Sequence, residues 1–330
     1  MLTVTNVSRF TLAAAIATAC GVLLLSPSCP LGGEPASRNN ATQADPSSIK
    51  AATVTTTIAS GDDDLAVLLR SAAMEDNTVL MTFTNGAMAA VDSLLDVFLE
   101  SFRVGEKTEP LLKHLVVVAV DDEALVQCKR VHTLCYRLDL GGGINFTAEK
   151  TFMSRDYLEM MWARNRFQTR VLELGYGFLF TDVDIVWFRN PLLRVPVGAD
   201  ITFSCERYDD SQDPYDLRKD ANGGFLYVRS NMRTIAFFKS WYEARRVYRG
   251  RNEQYVFNAV KQELSVRHGT AVLFIDTAYF GSNCQPKKDF LRLCTFHANC
   301  LKGLTNKLQL LRGIMAEWKQ FRNGTTGVSH

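Results

Sequence analysis

Apolar positions along the chain fall into two alternating patterns that predict strands and helices. Compact runs rich in β-branched and aromatic residues, typical of buried strands, lie at 78–84, 114–120, 133–138, 178–181, 200–205, 222–228 and 271–276. Apolar residues at helical spacing follow at 88–102, 154–173, 232–247, 253–264 and 304–321. Strands that alternate with helices predict an α/β fold, in which a mostly parallel central sheet is flanked by helices. One catalytic domain over 76–325 accounts for this pattern.

The N-terminal region has a different pattern. Residues 10–25 form an apolar run without charge, preceded by Arg9. The run is shorter than the roughly 20 residues that cross a bilayer core, so a signal anchor and the apolar part of a cleaved signal peptide both fit. We interpret it as an anchor, with residues 1–9 as a cytosolic tail. A buried core helix does not fit, because Pro27 and Pro30 follow directly.

Residues 26–75 are predicted to form a flexible stem. Their composition is dominated by small and polar residues, which bury too little apolar surface to offset the entropy of ordering. Asn40, Asn145 and Asn323 begin glycosylation sequons, which matter only if this part of the chain is lumenal.

Charge and cysteine content narrow the function classes. With 37 basic and 35 acidic residues, the chain lacks the concentrated positive face that nucleic-acid binding needs. Among the 8 cysteines, spacing suggests a disulfide between Cys128 and Cys135, and another from Cys284 to Cys294 or Cys300. A zinc site is the alternative, although the sequence has no CxxC pair.

Asp182 and Asp184 stand out because they follow the apolar run 178–181 directly. In an open α/β sheet the carboxyl ends of the strands are where ligands bind, and paired carboxylates suit a hard divalent cation that neutralises a diphosphate. A solvated turn is the alternative for any Asp-x-Asp triplet. Here the apolar residues 185–188 follow at once, so the acids are expected to be buried and paired by a metal.

Four further residues carry two interpretations each. Thr84 and Asn85, at the end of the first predicted strand, either contact a nucleotide base or serve ordinary turn chemistry. Arg164 shares a helix face with apolar residues, so its guanidinium either extends to water or meets a phosphate. His297 is either structural or a third metal ligand, and a mixed oxygen and nitrogen set favours Mn²⁺ over Mg²⁺.

Several of these stretches together resemble the plant-type nucleotide-diphospho-sugar transferases of glycosyltransferase family 77. They include LLDVFLESFRVG at 94–105, VLELGYGFLFTDVDIVWFRNP at 171–191 and HANCLKGLTNK at 297–307. The resemblance implies a GT-A type nucleotide-sugar-binding fold, a divalent cation and a UDP-linked sugar donor. It also implies a single-pass type II Golgi membrane protein that transfers sugar, with retention of configuration, to cell-wall polysaccharides or glycoproteins.

The resemblance also implies roles for individual residues. It gives metal or diphosphate contact to Asp182, Val183, Asp184, His297 and Lys307. It gives the sugar and acceptor side to Asn222, Gly223, Gly224, Glu253 and Gln254. At positions 253 and 254 the family pattern leads us to expect Asp-Gln, whereas this chain has Glu253 and Gln254. The role of Glu253 in acceptor binding is therefore open.

A metal-dependent glycosyltransferase is therefore the function that the sequence predicts. Two hypotheses from other classes compete with it. One is a catalytically silent relative that holds a partner transferase in a Golgi complex, and the other is a secreted carbohydrate-binding module. An intact set of Asp182, Asp184 and His297 favours the enzyme, because the other two have no use for a costly cluster of buried ionisable groups.

Overall fold

The computed structural model describes residues 60–141, 147, 151–208, 213–285 and 288–326, all of which belong to one compact unit spanning 56–330. The predicted tail and anchor, residues 26–59 of the stem, Asn40 and Asn145 lie outside the described residues. None of the helices within the described ranges combines the length and the apolar character needed to cross a bilayer.

The first described element corrects the predicted stem. Helix α1, Ser60–Ala72, lies inside the segment 26–75 that was predicted to be flexible. Its residues Leu65, Leu69 and Ala72 recur at helical spacing and are buried in the core. The boundary at residue 75 is therefore wrong, because the folded part of the chain already includes this amphipathic helix.

Ten strands form a large and a small sheet among the described residues. The strands are β1 Thr78–Thr84, β2 Leu115–Ala119, β3 Cys135–Arg137, β4 Gly177–Thr181, β5 Ile185–Trp187, β6 Ile201–Cys205, β7 Ala221–Val228, β8 Val272–Ile275, β9 Phe280–Ser282 and β10 Thr295–His297. The large sheet has seven strands in the order β3-β2-β1-β4-β7-β6-β8. Its pairs are parallel except those that β7 makes with β4 and β6. The predicted mostly parallel sheet is thus confirmed.

Seven further α-helices follow α1 in the described part of the chain, and four of them correspond to the helices predicted at 154–173, 232–247, 253–264 and 304–321. The seven are α2 Gly86–Ala89, α3 Leu94–Val104, α4 Asp122–Val131, α5 Arg155–Glu173, α6 Met232–Ala244, α7 Glu253–His268 and α8 Leu304–Thr326. Short 3-10 helices span Glu109–His114 and Pro191–Arg194. The prediction of a single helix over 88–102 is wrong. The helix is interrupted between α2 and α3, where Asp92 has a left-handed φ of 61°.

Both faces of the large sheet are covered. Alternate residues of β1 illustrate this, since Leu80 packs into one apolar cluster while Val79 and Met81 pack into the other. Strands buried on both faces read as continuous apolar runs, which is why the sequence pattern identified them. Several buried polar residues, among them Asn85 and Asp184, lie just beyond the ends of these strands.

The small sheet contains three strands of three residues each, in the order β5-β10-β9. In this sheet β10 pairs antiparallel with β5 and parallel with β9, which places His297 opposite Ile185 and Ser282. The Cys284–Cys300 disulfide closes the segment that carries β10, and Cys128–Cys135 is the second bond. Both agree with the predicted pairs, and Cys294 is a buried free thiol.

Candidate metal and nucleotide-sugar site

The site lies where the carboxyl ends of β1, β4 and β6 meet the amino end of the antiparallel strand β7. Strand β4 ends at Thr181, and the backbone N–H of Asp182 donates to the carbonyl of Gly224 in β7 at 2.8 Å. The Asp184 side chain is buried, with 8% of its surface exposed, whereas that of Asp182 is 32% exposed. The two acids therefore directly follow a buried strand, as predicted, and the turn that holds Asp184 is buried and not solvated.

The small sheet brings His297 to these acids. Its Nε2 lies 3.2 Å from Oδ1 of Asp184 and 3.8 Å from Oδ2 of Asp182. The backbone supports this placement, since the N–H of Ala298 donates to the carbonyl of Asp184 at 3.1 Å. A histidine 113 positions from Asp184 in the sequence thus meets it because β10 pairs with the strand that follows the acid.

Gly224 makes room for the imidazole. A Cβ at this position would lie 2.3 Å from Cε1 of His297 and 2.8 Å from Oδ2 of Asp182, closer than side-chain carbons approach other atoms. By contrast, a Cβ on the neighbouring Gly223 would meet nothing nearer than 3.4 Å. The two adjacent glycines therefore differ, and only Gly224 is required by the packing of the cluster.

The donor set fits a divalent cation. One ligand atom from each of Asp182, Asp184 and His297 lies within 4.8 Å of the others, as one shared ion would require. Two carboxylates and an imidazole are ligands that Mn²⁺ accepts, and the remaining coordination positions would be left for water or a ligand. The predicted meeting of these three residues is observed.

Lys307, near the start of α8, completes the charge balance around Asp184. Its Nζ donates to Oδ2 of Asp184 at 2.7 Å. Burial disfavours the Asp184 carboxylate, but His297 and Lys307 outweigh burial and hold the pKa of Asp184 well below its usual range. Burial likewise opposes the imidazolium, yet the charge and hydrogen bond of Asp184 raise the pKa of His297.

Arg164 holds Asp182 from the opposite side. Its Nη1 donates to Asp182 at 3.0 Å and its Nη2 to Oε1 of Glu253 at 2.6 Å, while the guanidinium lies 4.5 Å from the ring centre of Phe180. Only 9% of the Arg164 side chain is exposed, so the interpretation that it extends to water is wrong. Burial raises the pKa of Asp182, and the positive charge of Arg164 opposes that rise. A phosphate contact by Arg164 stays a prediction.

The segment Asn222–Gly224 joins the acids to the start of α7. The N–H of Gly223 donates to Oε1 of Gln254 at 2.8 Å, and that of Gly224 donates to Oδ1 of Asn222 at 3.0 Å. Glu253, the residue before Gln254, is buried against Arg164. The residues assigned to the sugar and acceptor side are therefore brought together, and the departure from the expected Asp-Gln pair keeps a carboxylate at this position.

The two turn residues lie at the same edge of the sheet as the acids. Thr84 and Asn85 are both buried, and Oδ1 of Asn85 accepts a hydrogen bond from the N–H of Met88, which caps α2. The turn interpretation therefore describes Asn85, and contact with a base stays a prediction. Val183 is buried between the two acids, and its contact with a nucleotide is also a prediction.

Two residues of the site region were not predicted to act there. Oε1 of Glu206 accepts hydrogen bonds from Nδ2 of Asn222 at 2.8 Å and from Nε2 of Gln254 at 3.1 Å. Tyr157 lies near Arg164 and Glu253, and burial followed by the charge of Glu253 raises the pKa of its phenol. Glu206 could have been found, since it directly follows β6 and so lies at the carboxyl edge of the sheet.

Comparison with known proteins identifies the family to which this chain belongs. The family described as nucleotide-diphospho-sugar transferase matches residues 110–311. An uncharacterized protein of Arabidopsis thaliana is 40% identical over 259 residues, which cover 78% of this chain and 68% of that protein. The Arabidopsis arabinosyltransferase RRA1 is 26% identical over 195 residues, 53% of this chain and 45% of the other. Mouse xyloside xylosyltransferase 1, in its apo form, aligns with a TM-score of 0.41 at 11% identity, covering 68% of this chain and 98% of that one. The family match over 110–311 and the first relative show that this chain belongs to the nucleotide-diphospho-sugar transferases, which makes it a glycosyltransferase.

Proposed function

We propose that this glycosyltransferase depends on a divalent cation, Mn²⁺ or Mg²⁺, and uses a UDP-linked sugar as its donor. The observation that carries the metal proposal is the convergence of Asp182, Asp184 and His297, with ligand atoms within 4.8 Å of one another. Such an ion would neutralise charge on the departing diphosphate, which is the electrostatic contribution expected to dominate this transfer. The UDP link rests on the family resemblance.

Charge around the site supports diphosphate binding. The carboxylates of Asp182, Asp184 and Glu253 face three basic side chains, those of Arg164, Lys307 and His297. A metal ligand must be a neutral imidazole, so a bound divalent ion would replace the proton of His297 and leave one net positive charge. Lys307, held 2.7 Å from Asp184, is then the ammonium that can turn toward a phosphate oxygen.

The acceptor and stereochemistry come from the resemblance. We propose transfer with retention of configuration to a cell-wall polysaccharide or glycoprotein. The similarity to an arabinosyltransferase makes pentose donors the first to test alongside hexose donors. For the location we propose a type II protein of the Golgi membrane, whose anchor is the apolar run 10–25 and whose catalytic domain is lumenal.

A catalytically silent scaffold is the competing function. A scaffold needs no buried ionisable side chains. In this chain Asp184, Arg164 and Glu253 are each more than nine-tenths buried. Buried charges are costly unless they are paired for a purpose, so their convergence favours catalysis.

The test pairs donor screening with the loss of one ligand. Nucleotide sugars are screened by thermal shift with and without Mn²⁺, since a ligand of the native state raises the melting temperature. Asp184→Asn should then reduce Mn²⁺-dependent hydrolysis of the stabilising donor by about 100-fold or more, because a metal ligand is lost. Asp96→Asn, which changes an acid that pairs with Arg130 on the surface, is the matched control. Full activity in Asp184→Asn, with circular dichroism showing a native fold, would contradict the metal proposal.

A further inference from the structure

A cavity of about 640 Å³ opens beside the site. Its walls include Phe152, Glu206, Asp220, Arg251, Gln254 and Tyr255. The volume is within the range of roughly 300–1,000 Å³ that is typical of small-molecule sites. The cavity is therefore large enough for one or two sugar rings.

This cavity shares a wall with the metal cluster. Glu206 and Gln254 line it, and both are bonded to the segment Asn222–Gly224 from the other side. The last residue of that segment, Gly224, lies directly against His297 and Asp182. The cavity and the cluster are therefore neighbours, linked through the residues Asn222–Gly224.

Among the described residues, no N–H or O–H group donates a hydrogen bond to one of the two carboxylate oxygens of Glu206. Its Oε1 accepts from the amides of Asn222 and Gln254, which fixes the orientation of the group. Its Oε2 lies 3.1 Å from Sγ of Cys284, and a disulfide sulfur has no proton to donate. Oε2 therefore keeps its capacity to accept a hydrogen bond, and Glu206 is one of the residues that line the cavity.

Aromatic rings line the opposite part of the cavity. Phe152 and Tyr255 are 64% and 47% exposed, which is unusual for side chains of this size. Phe152 packs at 5.2 Å against Tyr157, so the ring is held in place while much of its surface faces outward. Flat apolar surfaces of this kind match the C–H faces of sugar rings.

The charges of the lining favour an uncharged ligand. Glu206 and Asp220 contribute two carboxylates, and Arg251 contributes one guanidinium, which lies 4.6 Å from the ring centre of Tyr255. A uronic acid residue would place a further negative charge among these acids, which is unfavourable. Hydroxyl groups, in contrast, would find acceptors.

We propose that this cavity binds a neutral acceptor glycan, in which Phe152 supports a sugar ring and Oε2 of Glu206 accepts a hydrogen bond from a hydroxyl. This inference rests on the proposed glycosyltransferase function and specifies the acceptor class for it. Glu206 acts here as a binding residue that positions the acceptor.

The experiment compares transfer with donor hydrolysis in the same reactions. The full chain is incubated with Mn²⁺, with the nucleotide sugar that it hydrolyses, and with three probes: xylotriose, arabinofuranotriose and the trisaccharide of galacturonic acid. We expect transfer to a neutral trisaccharide and less than a tenth of that rate with the acidic one. In Glu206→Gln the ratio of transfer to hydrolysis should fall at least tenfold.

A second variant and a control keep the outcome clear. Phe152→Ala changes an exposed ring, so it should fold normally, and it should raise the acceptor KM about tenfold with a smaller change in kcat. The control is Glu100→Gln. Glu100 lines a separate cavity of about 770 Å³, together with Arg103 and Arg312. This change should leave the ratio of transfer to hydrolysis within twofold of the wild type.

The outcomes separate this inference from the proposed function. The inference is overturned if both variants hydrolyse the donor with an unchanged ratio of transfer to hydrolysis. It is also overturned if the wild type prefers the acidic trisaccharide. Either result leaves the proposed function standing. A wild-type chain that neither binds nor hydrolyses any nucleotide sugar would overturn the proposed function, and the inference with it.

Discussion

The large sheet and the small sheet each supply part of one cluster, by different means. Asp182 follows a five-residue strand in the middle of seven, where neighbouring strands fix its position on both sides. His297 ends a strand of three residues whose partners come from two other short segments. The large sheet rests on extensive apolar burial, whereas three-residue strands gain little from their own pairing.

This difference indicates where the site can be disturbed without unfolding the protein. Two further features hold the small sheet in place. One is the Cys284–Cys300 disulfide, and the other is Gly224, which lets His297 pack closely against β7. Changes to these should weaken the cluster more than the fold, and changes on the far side of the large sheet should do the reverse.

The largest effect is expected where the two sheets touch. In Gly224→Ala the new methyl group would overlap Cε1 of His297 and displace the imidazole from the acids. We expect Mn²⁺ affinity, measured by isothermal titration calorimetry, to fall at least tenfold.

Gly223→Ala is the matched control for this change, because its Cβ would meet only ordinary contacts. It should lower Mn²⁺ affinity by a clearly smaller factor than Gly224→Ala. Equal losses in both variants would show that the backbone of β7, and not the contact with His297, controls the metal site.

An intermediate effect is expected from the disulfides. Replacing Cys284 and Cys300 with serine removes a link across 16 residues, worth about 3 kcal/mol in the chain-entropy model, and frees the segment that carries His297. Both stability and Mn²⁺ affinity should fall, the latter severalfold.

The second disulfide provides the comparison. Replacing Cys128 and Cys135 with serine removes a link across 7 residues, worth about 2 kcal/mol, between α4 and β3. Denaturant unfolding should show a loss of stability, and calorimetry should show Mn²⁺ affinity close to that of the wild type. A drop in affinity as large as that of the first pair would remove the distinction between the two sheets.

The smallest effect is expected at the opposite edge of the large sheet. Asp200 accepts hydrogen bonds from the N–H of Ala271 at 3.0 Å and from the side chains of Asn231 and Arg233 at 2.9 and 2.8 Å. Burial disfavours the carboxylate, but these bonds outweigh burial and lower the pKa of Asp200. A lowered pKa in the folded state stabilises the protein above the unfolded pKa, about 3.9, and this contribution disappears as pH falls through the folded value.

Asp200→Asn should therefore reduce the urea midpoint at pH 7 and reduce it less as the pH falls below about 3.9, while donor hydrolysis stays at the wild-type level. A larger destabilisation at low pH than at pH 7 would contradict the assigned direction of the pKa shift.

Sequence patterns predicted the large sheet well because its strands are buried on both faces. The start of α5, where the side chain of Ser154 accepts a hydrogen bond from the N–H of Tyr157, and the acids after β4 were also predictable, since each signal is local in the chain. Prediction from local pattern failed at residues 60–75. The polar run Asp62–Asp64 suggested a flexible segment, but it belongs to a helix whose apolar face begins at Leu65.

The small sheet could not be predicted for a physical reason. Strands as short as β9 and β10 have too few residues to show a period of two. The partners of Arg164 were equally hidden, because Glu253 is 89 positions away and only the tertiary fold brings the two together. The family resemblance supplied Lys307, and it favoured the ligand role of His297, which the residues alone had left undecided.

The ion pairs of the cluster have a consequence for assembly of the protein. Because Lys307, Arg164 and His297 already counterbalance the acids, the chain can collapse and bury this region without waiting for manganese. If activity depends on a divalent cation, as proposed, chelation should abolish activity and leave the fold intact, in contrast to small zinc domains, which unfold when the ion is removed.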